Sequence, residues 1–160
     1  MDEIDRKVIL ALAGRARMTI KELASVAGLT SPSVTERLKR LEERGYIRGY
    51  TVVIDPKAVG YGVQAIVRMN PLPGALRKVE RMIRETPAFV ECDKVTGEDC
   101  FIGRLHVRSV EEIDVVLDRF HDHAQTSTAI VKSQPVERRL PPLLVESENP
   151  VPRKGMRRRP

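Results

Sequence analysis

The spacing of apolar residues changes near residue 50, and that change limits what the chain can fold into. Ahead of it, Ile4, Val8, Ile9 and Leu12 recur at helical spacing. Beyond it, Val63-Gln64-Ala65-Ile66-Val67-Arg68-Met69 alternates with period two, as a half-buried strand does. One uniform layer cannot satisfy both periods, so the chain reads as a helical head followed by a mixed α+β body. The 160 residues suffice for two small domains, and 41% hydrophobic content supports a core in each.

The head reads as three helices over residues 1–50. The first covers about Glu3 to Ala13, with Gly14 at its end. The second starts at Thr19, where Thr19-Ile20-Lys21-Glu22 makes a capping box, and ends near Val26. Ala27-Gly28-Leu29 forms a turn in which Gly28 supplies a positive φ. The third starts with Ser31 as N-cap and Pro32 at the first helical position. Val34, Leu38 and Leu41 form its buried stripe, and Gly45 closes it after Arg44.

A short helix, a glycine turn and a longer helix are the helix-turn-helix layout. The outward face of the third helix is expected to hold Ser31, Ser33, Thr35, Glu36, Arg37, Lys39, Arg40 and Arg44. Short hydroxyls near the N-terminus, with Arg37, suit base edges in double-stranded DNA, and the later cations suit phosphates. The competing reading is a plain three-helix bundle with a solvated charged face. The β-branched run Tyr46 to Ile54, stopped by Asp55-Pro56, predicts a small wing or a linker strand, with residues 51–60 as the linker.

The body, residues 61–140, reads β-α-β-β-α-β, a ferredoxin-like split unit. Its strands are predicted at 63–69, 89–96, 100–107 and 126–133. Its helices hold Leu76, Val79, Met82 and Ile83, then Ile113, Val116, Leu117 and Phe120 after a Ser109 cap. Both helices cover one sheet face. The other face is expected to stay bare and to present apolar residues, which calls for self-association into a symmetric dimer.

Charge is distributed unevenly. Residues 1–50 hold 10 Lys and Arg against 7 Asp and Glu, residues 51–140 hold 13 of each, and residues 141–160 hold 5 against 2. A basic head on a neutral body fits one module that meets phosphate and one that does not. Residues 141–160 read as a basic, proline-rich tail.

Head and body together resemble the leucine-responsive/AsnC family, the feast/famine transcription regulators. The resemblance rests on Asp5-Arg6-Lys7 and Leu10, Leu23-Ala24 with Gly28-Leu29, and Ser31, Ser33, Val34, Arg37 and Leu38. It continues through Leu41-Glu42, Gly45-Tyr46-Ile47, Asp55-Pro56 with Gly60, Val95-Thr96-Gly97-Glu98-Asp99 and Thr126-Ser127-Thr128. It implies a winged helix-turn-helix followed by an effector-binding and oligomerisation domain. It also implies dimers that assemble into tetramers or octamers, and a small amino-acid-like effector held between subunits.

On that resemblance Gly97, Glu98, Asp99, Cys100, Thr126 and Thr128 border the effector. Backbone N–H groups of the glycine turn suit a carboxylate, and an acidic side chain suits an ammonium. The same three turn residues also suit an ordinary hairpin. Many members place an aromatic and then an aspartate after Gly-Glu. Here Asp99 and Cys100 follow, so the carboxylate stands one position earlier in the strand alternation.

Several classes are set aside. His106, His121 and His123 do not form a metal site with Cys92 and Cys100, and the two cysteines do not make a disulfide framework. No nucleophile, base and orienting group come together, so no catalytic residue, metal or cofactor beyond the implied effector is expected. No apolar run reaches membrane-spanning length and the start lacks a secretory pattern, which predicts a cytoplasmic, nucleoid-associated protein with no membrane partner. The alternative function is a nucleoid-associated architectural DNA-binding protein without an effector.

Overall fold

The computed structural model describes residues 1–144. The basic tail expected at 141–160 therefore lies, from residue 145 on, outside the described residues. The chain divides into two compact units. One comprises Met1–Val52 with the described residues from Arg138, and the other Val53–Glu137.

The first unit holds α1 (Glu3–Gly14), α2 (Ile20–Ala27) and α3 (Ser31–Glu43). Two of the three helix starts are fixed by capping boxes. Thr19 and Glu22 serve each other's N–H groups at α2, and Asp2 and Asp5 do so at α1. Gly28 adopts φ 67°, and Leu29 N–H returns to Ala24 C=O at 2.9 Å, so the chain reverses immediately after α2. This reversal lets Val8, Leu23, Ala24, Val34, Leu38 and Leu41 close one core, with Val8 and Val34 fully buried.

Two details of α3 differ from the sequence expectation. Thr30, extended at φ −82° and ψ 156°, is the N-cap, and Ser31 is already helical. The Thr30 hydroxyl does not bond the backbone but meets the Ser33 hydroxyl at 2.9 Å. The expected strand over Tyr46–Ile54 is not formed, because β-branched residues become a strand only beside another strand, and this segment has none within one chain. Val52 and Val53 are consequently exposed, the latter at 98%.

The second unit holds β1 (Val63–Pro71), α4 (Leu76–Arg84), β2 (Phe89–Lys94), β3 (Phe101–Val107), α5 (Glu111–Asp118) and β4 (Ala124–Ile130). The four strands form one antiparallel sheet in the order β2-β3-β1-β4, the split β-α-β arrangement. The β4 strand starts two residues earlier than expected and stops at Ile130. Its pairing with β1 starts at Ala65↔Ile130, and only Val131 N–H reaches further, to Gln64 C=O at 2.8 Å. The second helix starts at Glu111 rather than at a Ser109 cap, and the Glu112 carboxylate accepts Arg108 N–H at 2.6 Å.

Alternation in β3 is strict. Phe101, Gly103, Leu105 and Val107 face the helices with Ala65, Val67 and Met69, and they pack on Val79, Ile83, Ile113 and Phe120. Gly103 is bare for a reason: a Cβ there would stand 2.7 Å from the Phe89 ring, which meets Phe120 edge-on at 5.9 Å. The opposite face is less apolar than expected. Ile66, Ile102 and Ala129 share it with Gln64, Arg68, Asp93, Arg104 and His106, because the register puts polar residues at the alternate positions.

Candidate nucleic-acid interface and effector region

The outward side of α3 follows from its period. Val34, Leu38 and Leu41 point inward, which leaves Ser31, Ser33, Thr35, Glu36, Lys39 and Arg40 exposed, with Arg44 at the C-cap. The Thr35 hydroxyl donates to Ser31 C=O at 2.9 Å, and the residue as a whole is exposed. Lys39 has only a loose contact with Glu43 at 3.8 Å, between two well-exposed side chains. Among the described residues Arg40 and Arg44 have no carboxylate partner. The face therefore presents hydroxyls at its N-terminal half and, beyond them, Arg40 and Arg44 without a carboxylate partner and Lys39 with a loose one.

Arg37 corrects the expectation. Its guanidinium does not reach outward but donates through Nη1 to Asp2 Oδ2 at 2.6 Å and Asp5 Oδ1 at 2.7 Å. The reason is periodic: residues 34, 37, 38 and 41 fall on one stripe at i, i+3, i+4 and i+7. The two carboxylates hold Arg37 above its ordinary pKa. For Asp2, burial works the other way, but the Asp5 N–H and the guanidinium together keep its carboxyl below the usual range. The Asp2–Asp5 pair was missed in the sequence, although Asp-Glu-Ile-Asp at a helix start is itself a capping signal.

Tyr50 is tied back to α3 through its side chain. It is more than half exposed, and its hydroxyl donates to Glu42 Oε1 at 2.8 Å. Burial of the hydroxyl, aided by the Glu42 carboxylate, pushes its pKa up to about 12.

In the second unit the candidate effector residues fall into two groups. Gly97, at φ 119°, shapes the loop between β2 and β3. The loop root is fixed: Cys100 N–H donates to Met69 C=O at 3.0 Å, and Val95 N–H to Cys100 C=O at 2.9 Å. Among the described residues the N–H groups of Gly97, Glu98 and Asp99 donate to no acceptor. Glu98 is exposed, and Asp99 lies 3.9 Å from the Arg68 Nε, a cation that sequence reasoning had not singled out.

Thr126 and Thr128 lie elsewhere. They oppose Met69 and Val67 on β1, which puts them on the helix-covered side of edge strand β4. There they line a cleft of about 450 Å³ with Asp114, Leu117, Asp118 and His121, and none of residues 97–100 borders it. The structure thus brings Gly97–Cys100 together as one group and Thr126 with Thr128 as another. It does not join the two within one chain.

Comparison with known proteins agrees with this architecture. Residues 1–48 match the winged helix-turn-helix DNA-binding model, and residues 64–141 match the Lrp/AsnC ligand binding domain. The chain is 33% identical to the transcriptional regulator LrpA of Mycobacterium tuberculosis, over 80% of this chain and 86% of that one. The structure of Bacillus subtilis LrpC is similar at a TM-score of 0.82 and 28% identity, covering 86% of this chain and 99% of that one. A feast or famine regulatory protein of M. tuberculosis complexed with L-methionine is similar at a TM-score of 0.77 and 32% identity, covering 88% and 97%. Among the described residues no helix is long and apolar enough to cross a membrane. The chain belongs to the Lrp/AsnC family, as a DNA-binding transcription regulator that carries a ligand-binding domain and is not an enzyme.

Proposed function

We propose that this regulator reads DNA with the outward side of α3 and changes its assembly or its DNA grip when an amino-acid-like effector binds between body units of neighbouring subunits. Ser31, Ser33, Thr35 and Glu36 face base edges, and Lys39, Arg40 and Arg44 neutralise phosphates. The observation supporting the effector half is the division of the candidate residues. Open N–H groups and carboxylates stand at Gly97–Asp99, while Thr126 and Thr128 lie on another strand. An amino acid that uses both groups needs two copies of the chain. The mixed face with Ile66 and Ile102, and the exposed Val52 and Val53, supply surface for such association. The relative that holds L-methionine supports the effector class.

A thermal-shift screen of the amino acids, L-methionine included, run with light scattering, tests this. A ligand that binds only the folded form raises the melting temperature. The expected result is a rise with one or a few amino acids and a change in scattering mass; no rise with any of them removes the effector. Footprinting tests the DNA half. Discrete, spaced protection supports a sequence-specific regulator, whereas uniform coverage supports an architectural protein, the reading that the basic run Arg157-Arg158-Arg159 favours.

A further inference from the structure

We propose that Arg37 is a positioning residue: by gripping both carboxylates at the start of α1, it fixes the angle at which α3 presents its outward side to DNA. The proposal rests on α3 being the DNA-reading helix. The four carboxylate oxygens of Asp2 and Asp5 form a closed set in which each oxygen accepts one hydrogen bond. Asp2 Oδ1 accepts Asp5 N–H at 2.7 Å and Asp5 Oδ2 accepts Asp2 N–H at 3.2 Å. The two remaining oxygens accept Arg37. No lone carboxylate oxygen of the capping box is left over, and the guanidinium completes it.

Placement favours positioning over reading. The Arg37 side chain is 19% exposed, against 74% for Lys39 two residues on. Its charge faces two negative charges at bonding distance, so a phosphate would have to displace both. The helices α1 and α3 each pack on α2, and Arg37 ties these two outer helices directly to each other. The Arg37–Asp5 contact, at 19% and 16% exposure, is the less screened half of the grip and holds geometry better than the contact to Asp2, which is 53% exposed.

Electrostatics alone and positioning give opposite signs. Removing the Asp5 charge makes the head more positive, which by itself tightens DNA binding. Positioning demands that it weaken. The experiment measures affinity of the full chain for a duplex selected by the wild-type protein from a random pool, at several salt concentrations and at a temperature where circular dichroism shows each variant folded.

Arg37→Gln and Asp5→Asn are each expected to weaken binding about five- to tenfold, with the salt slope unchanged. The double variant should be no worse than the weaker single one, the mark of a shared interaction. Arg37→Lys should recover part of the loss. If Asp5→Asn does not fold, Asp2→Asn replaces it with the same expected sign.

Tighter binding by Asp5→Asn overturns the proposal. So does a slope lowered by about one in Arg37→Gln, the signature of a lost phosphate contact. A fall in melting temperature with affinity intact overturns it too. Arg40→Ala is the control: its slope should fall by about one. An unchanged Arg40→Ala removes the α3 reading and the proposal with it, whereas a normal Arg40→Ala beside a tighter Asp5→Asn removes the proposal alone.

Discussion

The two units of this chain present their chemistry in different ways. In the first, one helix holds every outward candidate, from Ser31 to Arg44, on a scaffold completed by Val8, Leu23 and Val34. In the second, the candidates sit at a loop beyond β2 and on edge strand β4, with β1 and β3 between. A surface borne by one rigid helix needs only that helix to be seated. Groups dispersed over a sheet converge only when another molecule supplies the missing wall. The difference explains why the candidate DNA-facing groups share one surface of a single chain and the candidate effector groups do not.

The harshest way to break this comparison is to damage each scaffold in turn. Val34→Asp buries an unpaired carboxylate in the first core and is expected to cost about 3–5 kcal/mol, enough to unseat α3 and abolish DNA binding. Circular dichroism and a binding titration check it. Gly103→Ala forces a methyl against the Phe89 ring and is expected to cost about 1–3 kcal/mol in chemical denaturation. Affinity for random duplex should survive at low temperature. A loss as deep as that of Val34→Asp would show that the DNA face is not complete in its own unit.

Two smaller effects sharpen the contrast on the head side. Asp2 titrates below its ordinary value in the folded chain, so its contribution is present above the unfolded pKa of about 4 and is lost as pH falls through the folded one. Head stability should decline below about pH 4, and Arg37→Gln should flatten that decline. Melting curves from pH 6 downward measure both. Smallest is the Tyr50 hydroxyl. Its raised pKa stabilises the fold below pH 10 and loses that effect as pH climbs toward about 12. Ultraviolet titration should show one tyrosine ionising late, and Tyr50→Phe should delete that phase.

Local signals were the ones the sequence disclosed. The Thr19–Glu22 box, the Gly28 reversal and the strict alternation of β3 depend on neighbours a few positions away, and each stands where expected. Arg37 was misplaced because its chemistry suggested DNA, while its spacing from Val34 and Leu41 already put it on the inward stripe. The run Tyr46–Ile54 reads as a strand by composition, but a strand exists only by pairing, and no partner is encoded nearby. The bare face of the sheet looked apolar until register fixed which residues alternate onto it. In the effector region the loop was legible as a turn. Its separation from Thr126 was not, since that depends on strand order.

The empty position at Gly103 has a practical consequence. Phe89 lies across the gap, and Cys92 on β2 pairs with that same glycine. Burial, aided by the Asp93 and Glu80 carboxylates, pushes the Cys92 thiol up. Any side chain at residue 103 must displace the ring or shift the strand beneath it. The edge contact between Phe89 and Phe120 depends on that ring staying in place, so the missing side chain at residue 103 governs how firmly this corner of the sheet stays shut.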